Sequence, residues 1–190
     1  MLYFVQVAVA KNYHAVRFYK DEESLARTVA TFLAEGFRQG EPAVIVATPG
    51  HAVAVYRELS ALGLEHQKLR QSGALEILDA ETLLFSFMID GVPDPVAFRK
   101  NMGDVIDRVC AGRKPCPIRV YGEMVDVLWQ DGNQDGAIRL EILWNQLAAD
   151  FKFSLLCGYS VGQFYKETRD PRYQQVCEQH SHVIEDAPGQ

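Results

Sequence analysis

The feature that most constrains this chain is an acidic turn placed between a strand and a helix. Residues 14–50, HAVRFYKDEESLARTVATFLAEGFRQGEPAVIVATPG, read as strand, short loop, amphipathic helix, glycine-containing turn and apolar strand. A nucleotide-binding core opens with the same layout, and its first loop carries GxxxxGK[ST], whose backbone N–H groups and lysine hold the phosphates. Here that loop is YKDEESLA. Asp21, Glu22 and Glu23 put negative charge where a triphosphate needs positive charge, and no glycine lets the backbone wrap an anion. Carboxylates at this position cap a helix and complement its dipole. The loop is therefore expected to start a helix and to hold neither ATP nor GTP.

The rest of the chain continues the alternation. In HAVRFY, His14, Val16 and Phe18 share one face and Ala15, Arg17 and Tyr19 the other, as period two requires. Leu25, Val29, Phe32, Leu33 and Phe37 recur at helical spacing between Ser24 and Arg38, Gly36 and Gly40 close that helix, and GEPAVIVAT follows as a buried strand. A second helix over 50–63, a strand ALEILDA, a helix or helical turn ETLLFSFMIDG and a helix from Pro95 to Cys110 come next. The strand IRVYGEM, a helix over 135–149, the strand FSLLCGY and two short C-terminal helices, VGQFYKE and DPRYQQVCEQH, complete the pattern, with VIEDAPGQ frayed. This predicts an α/β fold, a mostly parallel sheet with helices on both faces, in one domain over residues 1–190.

Composition narrows the function classes. A length of 190 residues with 48% hydrophobic and 23% charged residues suffices for a core without disulfides or metals. The net charge of −6 and the scattered Lys and Arg argue against a broad nucleic-acid or anionic-membrane surface. No apolar run reaches transmembrane length, and MLYFVQVAVAK is too short for a signal peptide, so a cytoplasmic location is expected. Cys110, Cys116, Cys157 and Cys177 show neither a CxxC pair nor a secreted-domain spacing, and all four are expected to be reduced.

Several segments in order resemble one family. HAVRFY with its acidic turn, GEPAVIVAT, SGALEILDA, YGEMVDVLW, LEILWNQL, FSLLCGY and CEQHSHVI, spread over residues 12–184, resemble the MEDS domain, the sensory domain named from methanogen and methylotroph proteins and a dichloromethane-responsive regulator. The resemblance implies a relative of RecA and KaiC ATPases with a three-layer architecture and no Walker A lysine. It also implies a sensory role for small, hydrocarbon-derived molecules.

The candidate ligand-binding residues are His14, Tyr19, Glu123, Trp144, Asn145, Cys157 and Tyr159. Glu123 follows the strand Ile118 to Tyr121, and in open α/β sheets ligands bind beyond the carboxyl ends of the strands; its bland alternative is a cap on the next helix. Glu141 and Asn145 are four apart on one helix face, beside Trp144, which core packing alone accounts for. Cys157, Gly158 and Tyr159 end a strand. Gly158 permits close backbone approach, and Cys157 acts as a nucleophile only if the fold brings a base such as His14 near it; otherwise it is an inert buried thiol. Cys177, His180 and His182 form CxxHxH, which matches no common structural zinc spacing and ranks as a weak metal candidate set. His51 and His66 read as surface residues.

These readings predict a sensory domain acting through a protein partner in signal transduction or transcriptional regulation. Its pocket would be formed jointly by Tyr121 to Glu123 and Cys157 to Tyr159. No cofactor and no catalytic residues are expected, and homo-oligomer formation stays open. The alternatives are a degenerate nucleotide binder or residual enzyme using Glu123, and an interaction module with no ligand.

Overall fold

The alternation of strand and helix dictates which side of the sheet each helix takes. The computed structural model describes residues 13–160 and 171–184. In chain order the elements are β1 (His14–Tyr19), α1 (Glu22–Arg38), β2 (Ala43–Ala47), α2 (Pro49–Ala61), α3 (His66–Gln71), β3 (Leu75–Asp79), α4 (Ala80–Phe85), β4 (Met88–Ile89), β5 (Val92–Pro93), α5 (Pro95–Cys110), β6 (Ile118–Gly122), α6 (Met124–Gln130), α7 (Gln134–Leu147), β7 (Phe153–Ser160), α8 (Pro171–Gln179) and β8 (His182–Ile184). Six strands form a sheet of order β3-β2-β6-β7-β1-β8. All its pairings are parallel, and β1 runs beside β7 with Val16 opposite Cys157.

Right-handed crossovers then sort the helices. The connections from β1 to β2 and from β2 to β3 run one way across the sheet, and α1 and α2 pack on one face with Ala15, Tyr19, Ile45, Tyr121 and Leu156. Connections from β3 to β6 and from β6 to β7 run back, placing α5, α6 and α7 on the other face with Val16, Phe18, Val120, Cys157 and Tyr159. Alternate residues of each strand thus enter different cores. Loops leaving the adjacent strands β2 and β6 diverge to opposite faces, which opens a switch point between their carboxyl ends.

The acidic loop behaves as its chemistry requires. Asp21 is the N-cap of α1 and accepts a hydrogen bond from the Ser24 amide at 2.7 Å, with Glu22 and Glu23 in the first turn. Asp79, Asp94 and Asn133 cap α4, α5 and α7 in the same way.

Four expectations need correction. Residues 88–91, the end of the expected helix or helical turn ETLLFSFMIDG, instead join Val92 and Pro93 in the hairpin β4-β5, because Asp90 and Gly91 both take positive φ and turn the chain back. The helices α3 and α6 were not foreseen; both are short, of 6 and 7 residues, too brief for periodicity to show. Val183 and Ile184, expected to fray, pair with β1 as part of β8. Cys110 and Cys116, expected to be reduced, form a disulfide, since the turn after α5 returns Cys116 to a Cα separation of 5.8 Å, within bridging range. Cys157 and Cys177 are free thiols.

The final helix docks on the body. Val176 is fully buried, the Tyr173 ring lies tilted against Phe18 at 4.7 Å, and Cys177 packs against the same core. The helix expected over VGQFYKE lies outside the described residues.

Candidate functional site

Glu123 stands where the edge rule puts it, immediately after β6 at the switch point beside β2. It holds the N-cap position of α6, but its side chain makes no capping hydrogen bond. One carboxylate oxygen accepts from the Thr48 amide at the end of β2. The other is 2.7 Å from His51 Nδ1 and accepts from the Tyr121 hydroxyl at 2.9 Å. Thr48 and His51 belong to the start of α2, so the carboxylate ties two diverging loops together. The hydrogen bond that His51 makes to the Glu123 carboxylate raises the His51 pKa, with burial acting against it.

A second carboxylate lies one helical turn on. Asp126 accepts from the Ser160 amide at 3.0 Å, from the Tyr19 hydroxyl at 3.1 Å and from Gln130 at 3.3 Å. Burial raises its pKa despite those donors. Burial and the nearby Asp126 and Glu123 hold the Tyr19 hydroxyl far above its ordinary range, so it stays a donor. The Tyr19 and His51 rings meet edge to face at 5.8 Å. Two hydrogen-bonded groups, Glu123 with His51 and Tyr121, and Asp126 with Tyr19, therefore meet through the Tyr19–His51 ring contact at the carboxyl edge, reaching the strand ends of β1, β6 and β7.

The other predicted residues lie elsewhere. His14, Cys157 and Tyr159 point to the opposite face, beneath α7, where they meet Glu141, Asn145 and His180. Glu141 and Asn145, one turn apart, straddle the His14 ring: Nε2 is 3.2 Å from the Glu141 carboxylate and Nδ1 3.0 Å from Asn145 Oδ1. His14 Nε2 is also 3.4 Å from Cys157 Sγ, which donates to Glu141 at 3.6 Å. The Tyr159 hydroxyl donates to the other Glu141 oxygen at 2.9 Å, and His180 Nε2 lies 3.4 Å from that oxygen. Burial alone would push the Glu141 carboxyl up, but His180 and His14 outweigh it and hold the group well below the usual carboxylate range. Burial also opposes charge on His180, and Glu141 overcomes it and raises the imidazole.

The single pocket expected from Tyr121 to Glu123 and Cys157 to Tyr159 is thus two clusters separated by the sheet, because Tyr121 and Tyr159 project from opposite faces. Trp144 borders neither as a ligand wall: it is buried edge-on against Phe98 at 5.1 Å and Phe153 at 5.8 Å, which is core packing. Gly158 does permit a close approach, but by the Tyr121 hydroxyl, which an added Cβ would meet at 3.0 Å. Cys157 has His14 beside it, yet burial and Glu141 push the thiol well up, so it is no poised nucleophile. Of the CxxHxH set only His180 reaches a cluster; His182 is exposed on β8 against Tyr13, and Cys177 packs on the core. His51, Thr48 and Asp126 were missed as site residues, and Glu141 was picked out on its helix face beside Asn145 without being placed among the ligand-binding residues. The first two follow the end of β2 at the same edge as Glu123, and Asp126 is three residues past it, so the edge rule applied to every strand finds them.

An open groove along the edge strand β3, lined by Gln67, Arg70, Leu75, Glu76 and Arg108, includes none of the predicted residues. No helix among the described residues is long and apolar enough to cross a membrane.

Comparison with known proteins agrees with this architecture. A KaiC-like protein from the hyperthermophilic archaeon Pyrococcus horikoshii OT3 superposes with a TM-score of 0.60 at 16% identity, covering 92% of this chain and 71% of that one. At that identity the likeness establishes the RecA/KaiC-like fold alone. No curated protein matches the chain. The model of the family "MEthanogen/methylotroph, DcmR Sensory domain" matches residues 13–180. The chain is a member of this MEDS family of sensory domains.

Proposed function

We propose that the chain senses a small organic molecule at the carboxyl edge of its sheet, above the cluster of Glu123, His51, Asp126 and Tyr19. The observation that carries this reading is that two carboxylates and an imidazole converge where the loops after β2 and β6 diverge, the place at which open α/β sheets bind ligands. Glu123 and Asp126 accept hydrogen bonds, so they favour a ligand whose polar handle donates, an alcohol or an amine on a short apolar body. Such a handle would displace His51 from Glu123 and free the start of α2, giving a partner protein a changed surface to read. The reading includes neither triphosphate hydrolysis nor an intact phosphate loop, because Asp21 closes the α1 N-terminus that a phosphate would need.

The test is a thermal-shift screen of short alcohols and amines against the full chain. At a hundredfold excess over the dissociation constant a ligand adds about 2.7 kcal/mol of stability, roughly 5–11 °C for a chain of this size. Glu123→Gln should abolish the shift, scored against the variant's own ligand-free melting temperature. Turnover of a screened compound, lost in the same variant, would instead make the protein an enzyme. Retention of partner binding with no shift from any compound would make it a ligand-free interaction module.

A further inference from the structure

The buried cluster beneath α7 has the composition and spacing of a metal site. His14, Glu141, Cys157 and His180 each offer one ligand atom, and these atoms all lie within 4.8 Å of one another. They come from β1, α7, β7 and the segment after α8, so no local sequence spacing announces them. A tetrahedral zinc ion, with bonds of roughly 2.0–2.3 Å, sets its ligand atoms about 3.3–3.8 Å apart. The separations here are 3.2 Å for His14 to Glu141 Oε2, 3.4 Å for His14 to Cys157 and 3.6 Å for Cys157 to Glu141 Oε2, while His180 Nε2 lies 3.4 Å from the other Glu141 oxygen, Oε1.

The outer contacts orient both imidazoles toward the centre. Asn145 Nδ2 donates to the Gln179 carbonyl at 3.0 Å, which turns Asn145 Oδ1 to accept the His14 Nδ1 proton. His180 Nδ1 donates to the Val176 carbonyl at 2.6 Å. Each ring thus has its Nδ1–H engaged and its Nε2 aimed at the Glu141 carboxylate, the arrangement by which second-shell acceptors fix ligating histidines. His180 Nε2 is buried with no hydrogen bond, although its ring is fully enclosed. Two imidazole nitrogens facing one carboxylate, one of them without a hydrogen bond, frame a centre that a cation can fill. Tyr159, donating to Glu141 at 2.9 Å, steadies the carboxylate from behind.

We infer that His14, Glu141, Cys157 and His180 bind one divalent transition-metal ion of the zinc class in a closed, four-ligand site. A carboxylate, a thiolate and two neutral imidazoles balance the charge of the ion, and the Cys157 proton leaves to solvent as the thiolate forms. Because His180 follows α8, the metal fastens the C-terminal segment to β1, β7 and α7. The site lies across the sheet from the proposed ligand edge and stands or falls independently of it.

The test uses the full chain, purified without chelator, with zinc content measured by mass spectrometry and cobalt titrated into chelator-stripped protein. The expected result is one ion per chain and a near-ultraviolet absorption from thiolate-to-cobalt charge transfer. Cys157→Ser should remove that absorption, His180→Gln should remove stoichiometric binding, and Asn145→Ala should weaken zinc binding by about 10- to 100-fold through the His14 ring it holds. Cys177→Ser, His182→Gln and Cys116→Ser should leave all three readouts intact. Failure of folded native protein, checked by circular dichroism, to bind zinc or cobalt at one equivalent would overturn the site, as would loss of binding in Cys177→Ser or His182→Gln with Cys157→Ser unaffected.

Discussion

Gly158 offers a test of the ligand-edge cluster whose sign depends on a single hydroxyl. The residue sits in β7 with ordinary strand backbone, so alanine is conformationally allowed. On backbone grounds the change stabilises by about 0.4–1 kcal/mol through the unfolded chain. Against this, the new Cβ would come within 3.0 Å of the Tyr121 hydroxyl and 3.4 Å of Leu25 Cδ1. Tyr121 is fully buried and its hydroxyl donates to Glu123, which Thr48 and His51 hold in turn. The ring cannot yield without breaking that bond. Overpacking of this kind costs about 1–3 kcal/mol, so Gly158→Ala should be destabilising by roughly 1–2 kcal/mol net. Tyr121→Phe removes the obstructing oxygen and leaves contacts at 3.4 and 3.5 Å, which are ordinary. In that background Gly158→Ala should be neutral or stabilising. Urea denaturation of the four proteins gives the coupling, expected at about 1 kcal/mol or more, within the range for contacting pairs. Additive effects would show that Tyr121 is not pinned to Glu123 and that the cluster is looser than its hydrogen bonds indicate.

Asp21→Ala should lower stability by about 1 kcal/mol through loss of the α1 cap, and neither form should bind magnesium ATP in calorimetry; micromolar binding would refute the closed helix start. The raised His51 pKa means that its pairing with Glu123 contributes fully below the unfolded value, near 6.5, and is lost as pH rises through the folded value. The gap in urea midpoint between the native protein and His51→Gln should therefore shrink as pH climbs above 6.5, and a gap that widens instead would reverse the assignment. A chain ending at residue 170 loses Val176 and His180 and leaves Glu141 buried without its second imidazole. The expected cost is on the order of 3–5 kcal/mol, read as a lower urea midpoint, and an unchanged midpoint would show that the final helix is not docked.

The sequence made the architecture legible because it repeats one signal. Strand and helix alternate in lengths that periodicity resolves, and the acidic YKDEESLA loop predicts a capped helix, which Asp21 forms. What escaped was short or non-local. The helices α3 and α6 span too few residues for a periodic stripe, and the β4-β5 hairpin hides inside an apolar run. The Cys110–Cys116 bridge depends on how a turn folds back, which spacing alone does not reveal. His180 could be joined to His14 only by knowing that α8 returns to the face of α7.

The division of the site, by contrast, was present in the strand parity. HAVRFY places His14 and Tyr19 on opposite faces, so the two could not both line one pocket unless it wrapped around the sheet edge. The parallel register extends the same rule to β7 and β6: Val16 opposite Cys157 and Gly122 opposite Cys157 put Cys157 and Tyr159 with His14, while Tyr121 falls with Tyr19. Only a residue past the end of its strand escapes that parity. Glu123, Asp126 and Thr48 are such residues, and Asp126 joins the ends of two neighbouring strands, holding Tyr19 of β1 and the Ser160 amide of β7. A signal from the edge to the buried cluster would cross through β1, which carries Tyr19 and His14, or through β7, which carries Ser160 and Cys157. The two sites therefore share two neighbouring strands, and a displacement of either strand would couple occupancy at one site to the other.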